Sequence, residues 1–196
     1  MDIRELDRRV VDTTTRLVNT VTADQLDRPT PCAAWNVRHL LEHMIGQHDG
    51  FALAASGEPT ELAAWRPRPF DDDPSGPYTE AATLVTAAFA QNGVLERDFW
   101  LPEVRITAPF PARAAIGFHF LDNVVHGWDV AKALDVATTY DQDVLNVAVV
   151  LAAKVPDTPE TRGPRSHFQP GVEVPATAAP LDRVVAMLGR DPSWRP

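Results

Sequence analysis

Cysteine is almost missing from this 196-residue chain: Cys32 stands alone, so no intrachain disulfide can form and a reducing compartment is the simpler setting. Lysine is nearly as scarce, 2 against 16 arginines. Together they number 18 against 27 acidic residues, a formal charge of −9 with no basic stripe, which argues against a nucleic-acid partner. No apolar run approaches the roughly 20 residues a membrane helix needs. The opening MDIRELDRRVVD is charged from its second residue and carries no signal-peptide core. These gaps predict a cytoplasmic protein with neither membrane nor nucleic acid as partner.

What is present is enough apolar material for a proper core, 44% of the residues, and 18 prolines that cut the chain into blocks. The predicted architecture is all-α, one domain over 1–196, with a core at about 2–154 and a proline-rich, irregular tail at 155–196 that holds a short helix. Residues 2–21 put Ile3, Leu6, Val10, Thr14, Leu17 and Val21 on one stripe. Asn36 caps a second helix from Val37 to about Ser56, with Val37, Leu40, Leu41, Met44 and Ile45 inward. Residues 57–77 hold five prolines and three consecutive aspartates and are expected to form a long, solvated crossover loop. A third helix is expected from Tyr78 to about Trp100, with Leu84, Val85, Ala88, Phe89 and Leu95 inward. Residues 101–111 form a second loop containing a short extended piece, and a fourth helix spans about Ala112 to Leu134. A fifth covers 141–154, and LDRVVAMLG makes a last short one ending at Gly189. Residues around HFQPGVEV offer a turn or hairpin. Four helices with one long crossover make a bundle, and bundle cores are where facing helices build metal sites.

The chemistry-bearing residues are histidines. Asp122 and His126 lie four apart on the fourth helix and project from one face, with His119 a turn earlier. By spacing alone the pair is an ion pair, a buried histidine held by a carboxylate, or two ligands of one ion. A second pair, His39 and His43, sits four apart on the second helix. An aspartate and two histidines from two helices would leave open positions on a metal, the pattern of catalytic sites.

The segment TPCAAWNVRHLLEH (30–43) resembles the second-helix signature of the DinB-like superfamily, in its mycothiol-dependent maleylpyruvate isomerase branch. HFLDNVVHGWDVA (119–131) is similar to that branch's second motif, and LDRV followed by LGRDPSW (181–194) to the tail of its shorter actinobacterial members. The resemblance spans nearly the whole chain. It implies an up-down-down-up four-helix bundle and a divalent metal, zinc first and nickel second, held by His43, Asp122 and His126. It also implies a low-molecular-weight thiol, mycothiol or a similar one, as co-substrate and a small-molecule electrophile as partner. The expected activity is a thiol-dependent transfer or isomerisation; a metal-dependent hydrolase and a non-catalytic binding bundle are the alternatives. Asp122 stands where isomerase-type members carry glutamate, one methylene shorter in reach. No counterpart of their sterol-carrier-like C-terminal domain is expected, and a homodimer is compatible with the resemblance.

Other residues carry plainer readings. His39 is expected to be exposed near its helix start, and His48 and His167 to lie on the surface or in loops. Trp35 and Trp128 read as core plugs, Cys32 as an inert thiol, and Asp129 as either a solvated carboxylate or a hydrogen-bonding partner of a ligand.

Overall fold

The computed structural model describes residues 1–33, 35–162 and 168–196. Six α-helices carry it: α1 (Ile3–Val18), α2 (Val37–Ala54), α3 (Ser75–Phe89), α4 (Ala112–Ala133), α5 (Gln142–Ala152) and α6 (Pro180–Met187). Local chemistry starts the first two. The Asp2 side chain accepts from Arg4 N at 3.0 Å, and the Asn36 side chain accepts from His39 N at 3.0 Å, so each satisfies an amide that the helix leaves open.

Side-chain contacts set the helix directions. Asp7 and Thr14 of α1 meet His119 and Gly127 of α4 in the same order, so α1 and α4 run parallel. His43 and His48 of α2 meet His126 and His119 in reverse order, so α2 is antiparallel to α4. His48 and Phe51 meet Tyr78 and Phe89 in order, and α3 therefore runs with α2. The bundle is up-down-down-up, with α1 and α2 each packed on both α3 and α4. That order requires a long connection between the two parallel neighbours α2 and α3. The connection lies on α2: Trp65 covers Gly50, where an added Cβ would sit 2.5 Å from the indole. Arg68 joins Asp49 of α2 to Glu80 of α3.

Two apolar clusters fill the bundle. One gathers Leu6, Phe51, Trp65, Phe89, Phe99 and Phe120, and the other Val11, Leu40, Leu41, Tyr78, Val130 and Leu134. On α2, His48 falls in the interval between the two sets, and on α4 His126 and Asp129 do.

Several expectations need correction. α3 ends at Phe89, not near Trp100; beyond its cap at Ala90 the chain turns at Gly93, whose φ of +75° is a left-handed conformation through which the helix could not continue. Residues beyond it form a 3₁₀ turn (Val94–Glu96) and strand β1 (Asp98–Phe99), paired antiparallel with β2 (Phe110–Pro111). The second strand is the extended piece expected within 101–111. Leu84 is 51% exposed; the inward stripe of α3 runs through Tyr78, Ala81, Ala82, Val85 and Phe89 instead. The aspartate run is partly structural, since the Asp73 carboxylate accepts from Ser75 N at 2.9 Å and starts α3 three residues early. His167 lies outside the described residues, and 168–174 contain no strand.

Candidate metal centre

α2 and α4 bring His43, Asp122 and His126 together: one donor atom from each lies within 4.8 Å of the other two. Three sequence features put them there. His43 is on the turn that follows Leu40 and Leu41, whose burial fixes the rotation of α2. Asp122 and His126 share a face of α4. Gly127 lets α4 approach α1 closely, since a Cβ there would sit 2.8 Å from Thr14 Oγ1 and 2.5 Å from Tyr140 Oη.

The Asp122 carboxylate lies 3.3 Å from His126 Nε2, and its side chain keeps 24% exposure while His126 is nearly enclosed. That separation matches the edge of a coordination shell with ligand distances of about 2.0–2.2 Å. Burial works against a charged His126, but the Asp122 charge and hydrogen bond outweigh it, and its pKa is pushed up to about 9. Burial also opposes ionisation of Asp122, yet the neighbouring imidazoles, His126 first, hold it well below the usual carboxylate range. Two imidazoles and an ionised carboxylate make a donor set suited to zinc or nickel.

The far side of His126 is held in turn. Its Nδ1 donates to Asp129 Oδ2 at 3.0 Å, and Arg190 Nη2 donates to the same oxygen at 3.2 Å. Asp129 is thus a buried partner of a candidate ligand, not a solvated carboxylate, and the His126 tautomer that leaves Nε2 for Asp122 and an ion is set. Arg190 was not legible: its partner is 61 residues away. It follows Gly189, whose φ of +82° turns the chain back after α6. Replacing Asp129 with asparagine is expected to weaken zinc binding roughly 10- to 100-fold, as changes behind a metal-ligating histidine do, which competitive chelator titration measures.

Trp35 tilts over both imidazoles, with ring centroids 4.6 Å from His43 and 5.9 Å from His126. It is half-buried and walls the site instead of plugging the core, whereas Trp128 is buried as expected. Gln47, one turn after His43 on the same face, donates to Glu103 at 2.7 Å and draws the 101–109 loop to that side of α2. His39 is exposed and outside the convergent set, and Cys32 is half-buried in the segment before α2. His48 contradicts its surface reading: it is fully buried, on the stripe through Val37, Leu41 and Met44. His119 is buried too and lies outside the convergent set, its Nδ1 meeting Asp7 and its Nε2 meeting His48.

The up-down-down-up arrangement of α1–α4 is the DinB-like bundle fold, and in this chain two histidines and an aspartate converge across α2 and α4. The chain belongs to the family described as the mycothiol maleylpyruvate isomerase N-terminal domain, whose model matches residues 8–131. Among solved structures, the crystal structure of a mycothiol-dependent maleylpyruvate isomerase superposes with TM-score 0.59 at 13% identity, covering 76% of this chain and 68% of that one. A histidine-to-alanine mutant of that enzyme gives TM-score 0.58 at 13% identity, with 82% and 72% covered. At that identity the likeness establishes the shared fold. Two uncharacterized proteins from two strains of Mycobacterium tuberculosis are each 32% identical over 190 residues, 97% of this chain and 98% of theirs. Among the described residues no helix is long and apolar enough to cross a membrane.

Proposed function

We propose that the chain binds one divalent metal, zinc in the first instance, through His43, Asp122 and His126, and uses a mycothiol-type thiol against an electrophilic small molecule. The convergence of the three donors within 4.8 Å carries this reading. Family membership supports the thiol.

A metal held there supplies positive charge, which favours the deprotonated form of an approaching thiol. The protein's part is positional. His126 presents Nε2 because Asp129 occupies Nδ1, and Asp129 keeps its orientation because Arg190 crosses from the C-terminal segment to meet it. Trp35 shields one side of both imidazoles from water and offers an apolar wall to a substrate. With three protein donors, the site retains room for the thiol sulfur, the arrangement of catalytic centres. A thiolate there would attack an electrophilic carbon in one of two ways. It displaces a leaving group such as chloride, or it adds to a conjugated C=C bond whose π electrons pass to the carbonyl. The resulting single bond then rotates before the thiolate is expelled and the double bond re-forms.

Turnover of a maleyl compound and of a chlorinated aromatic, each with and without added thiol, tests the assignment. The expected result is turnover that needs both zinc and thiol. Ester hydrolysis without thiol would move the protein to the metal hydrolases, and zinc binding without any turnover would leave a binding bundle.

A further inference from the structure

The face of α4 that carries Asp122 and His126 continues toward the helix start to Phe118, four residues before Asp122 and so one turn away on the same side. This large aromatic is 41% exposed, while Gly117, His119 and Phe120 beside it are buried. Phe118 meets Phe110 edge to face, with ring centroids 5.2 Å apart. The Arg105 guanidinium lies over Phe110, 4.0 Å from its centroid, and donates from Nε to the Ala108 carbonyl and from Nη2 to the Pro109 carbonyl. On the other helix, Gln47 stands one turn after His43 and holds Glu103 at 2.7 Å. The segment from Leu101 to Phe110 is thus fixed to both helices that supply the three donors. Because α2 and α4 are antiparallel, Gln47 and Phe118 lie beyond those donors in one direction, and Trp35 lies beyond them in the other. From Phe118 to His126 is about 12 Å along the axis of α4.

Charge decides what kind of molecule that space accepts. Asp122 balances one charge of a divalent ion and a thiolate balances the other, so little positive charge is left over for an anionic electrophile. Glu103 adds a carboxylate at the rim. The arginines on either side are committed elsewhere: Arg105 to two carbonyls and the Phe110 face, and Arg190, behind His126, to Asp129 and the Leu188 carbonyl. A dicarboxylate there would meet Glu103 without a cation to hold it, and like charges brought together oppose binding. A flat, uncharged ring meets no such penalty. It finds aromatic side chains at both ends, and such rings pair edge to face or offset-stacked.

We propose that the space between Trp35 and the Phe118–Phe110 pair is the electrophile subsite, and that it takes an uncharged, electron-poor aromatic halide in preference to a carboxylate-bearing maleyl compound. The inference rests on the thiol reading above and names its substrate class. In the reaction the thiolate sulfur bonds to the ring carbon that carries the halogen, and the displaced π electrons pass into the electron-withdrawing ring substituents. They return as the carbon–halogen bond breaks, and the halide leaves with that bond's electron pair. The products are an aryl thioether and a halide ion; the thiol proton has already gone to solvent when the thiolate forms. Phe118 sets specificity in this scheme. It faces the ring of the substrate, one turn from Asp122, and takes no part in the bond changes.

Dinitrobenzene, which has no halide to lose, is the binding probe, and NMR of the full-length protein reads its position. The expected spectrum has intermolecular Overhauser contacts from the probe to the rings of Phe118, Phe110 and Trp35, and excess maleate does not displace it. Phe118→Ala is expected to weaken probe binding about 3- to 10-fold, the worth of one aromatic pair, with zinc affinity unchanged. Phe118→Tyr keeps the ring and is expected to keep the affinity. Turnover with zinc and mycothiol is the second arm, in which Phe118→Ala is expected to raise KM for chlorodinitrobenzene. A probe that touches neither phenylalanine, or thiol-dependent turnover of maleylpyruvate but not of chlorodinitrobenzene, would overturn the subsite and leave the thiol reading standing. A probe bound at Phe118 with no thiol-dependent turnover of either compound would overturn the thiol reading, and the electrophile's place with it. Should the alanine variant not fold, the wild-type contacts decide alone.

Discussion

His43→Ala and His126→Ala are each expected to lower zinc affinity by more than the roughly 10- to 100-fold that changes behind a ligand cost, because each removes a donor outright. The wild-type protein is expected to take up one zinc per chain. At zinc 100-fold above its dissociation constant, the folded state gains about 2.7 kcal/mol, which for a chain of this size is a rise in melting temperature of roughly 5–11 °C. Both alanine variants are expected to lose that rise; His43→Ala is expected to keep its metal-free melting temperature within a few degrees, whereas His126→Ala also removes the partner of the Asp122 and Asp129 carboxylates and is expected to lower it. Asp122→Glu keeps the carboxylate and is expected to keep the rise. The pH dependence has a definite sign. His126 holds its proton up to about pH 9 in the metal-free chain, and a metal must displace it. Zinc affinity therefore climbs as pH is raised toward 9 and falls as it is lowered, which chelator competition at several pH values would record.

His119→Ala is expected to be the most destabilising single change in the polar interior, costing about 3–5 kcal/mol in urea unfolding. It strands the Asp7 carboxylate, which is 1% exposed and has His119 as its hydrogen-bond partner, and it takes the acceptor or donor from His48 as well. The double variant Asp7→Leu/His119→Leu leaves no charge behind. It is expected to be more stable than His119→Leu alone, a sign that a stranded charge and not lost volume sets the cost. A single-variant loss of under about 1 kcal/mol would mean that Asp7 is not ionically engaged.

The bundle was legible because its helices are long, bounded by Asp2 and Asn36 as caps and by proline and glycine breaks, and carry apolar stripes that the structure buries. The three convergent donors were legible through the motif resemblance, and spacing supplied the Asp122–His126 pairing on one face. The length of α3 was not, because a left-handed glycine at 93 outweighed a continuing apolar pattern. Arg190 was hidden by sequence distance, since no local pattern announces a contact between a tail residue and the C-terminal turns of α4. The buried group of Asp7, His48 and His119 is a different case. Asp7 falls on the Ile3, Val10, Thr14 stripe and His48 on the Leu41, Met44 stripe, so their burial could be read from position. Polarity alone predicts an exposed His48, and in the protein periodicity wins because His48 and Asp7 each meet His119 across the bundle.

A crystal structure of the zinc-loaded protein, with anomalous data collected at the zinc edge, bears most directly on the proposed function. One peak is predicted between α2 and α4, at ~2.0–2.2 Å from His126 Nε2, a ring nitrogen of His43 and a carboxylate oxygen of Asp122. Zinc held elsewhere, or by fewer than these three residues, would contradict it.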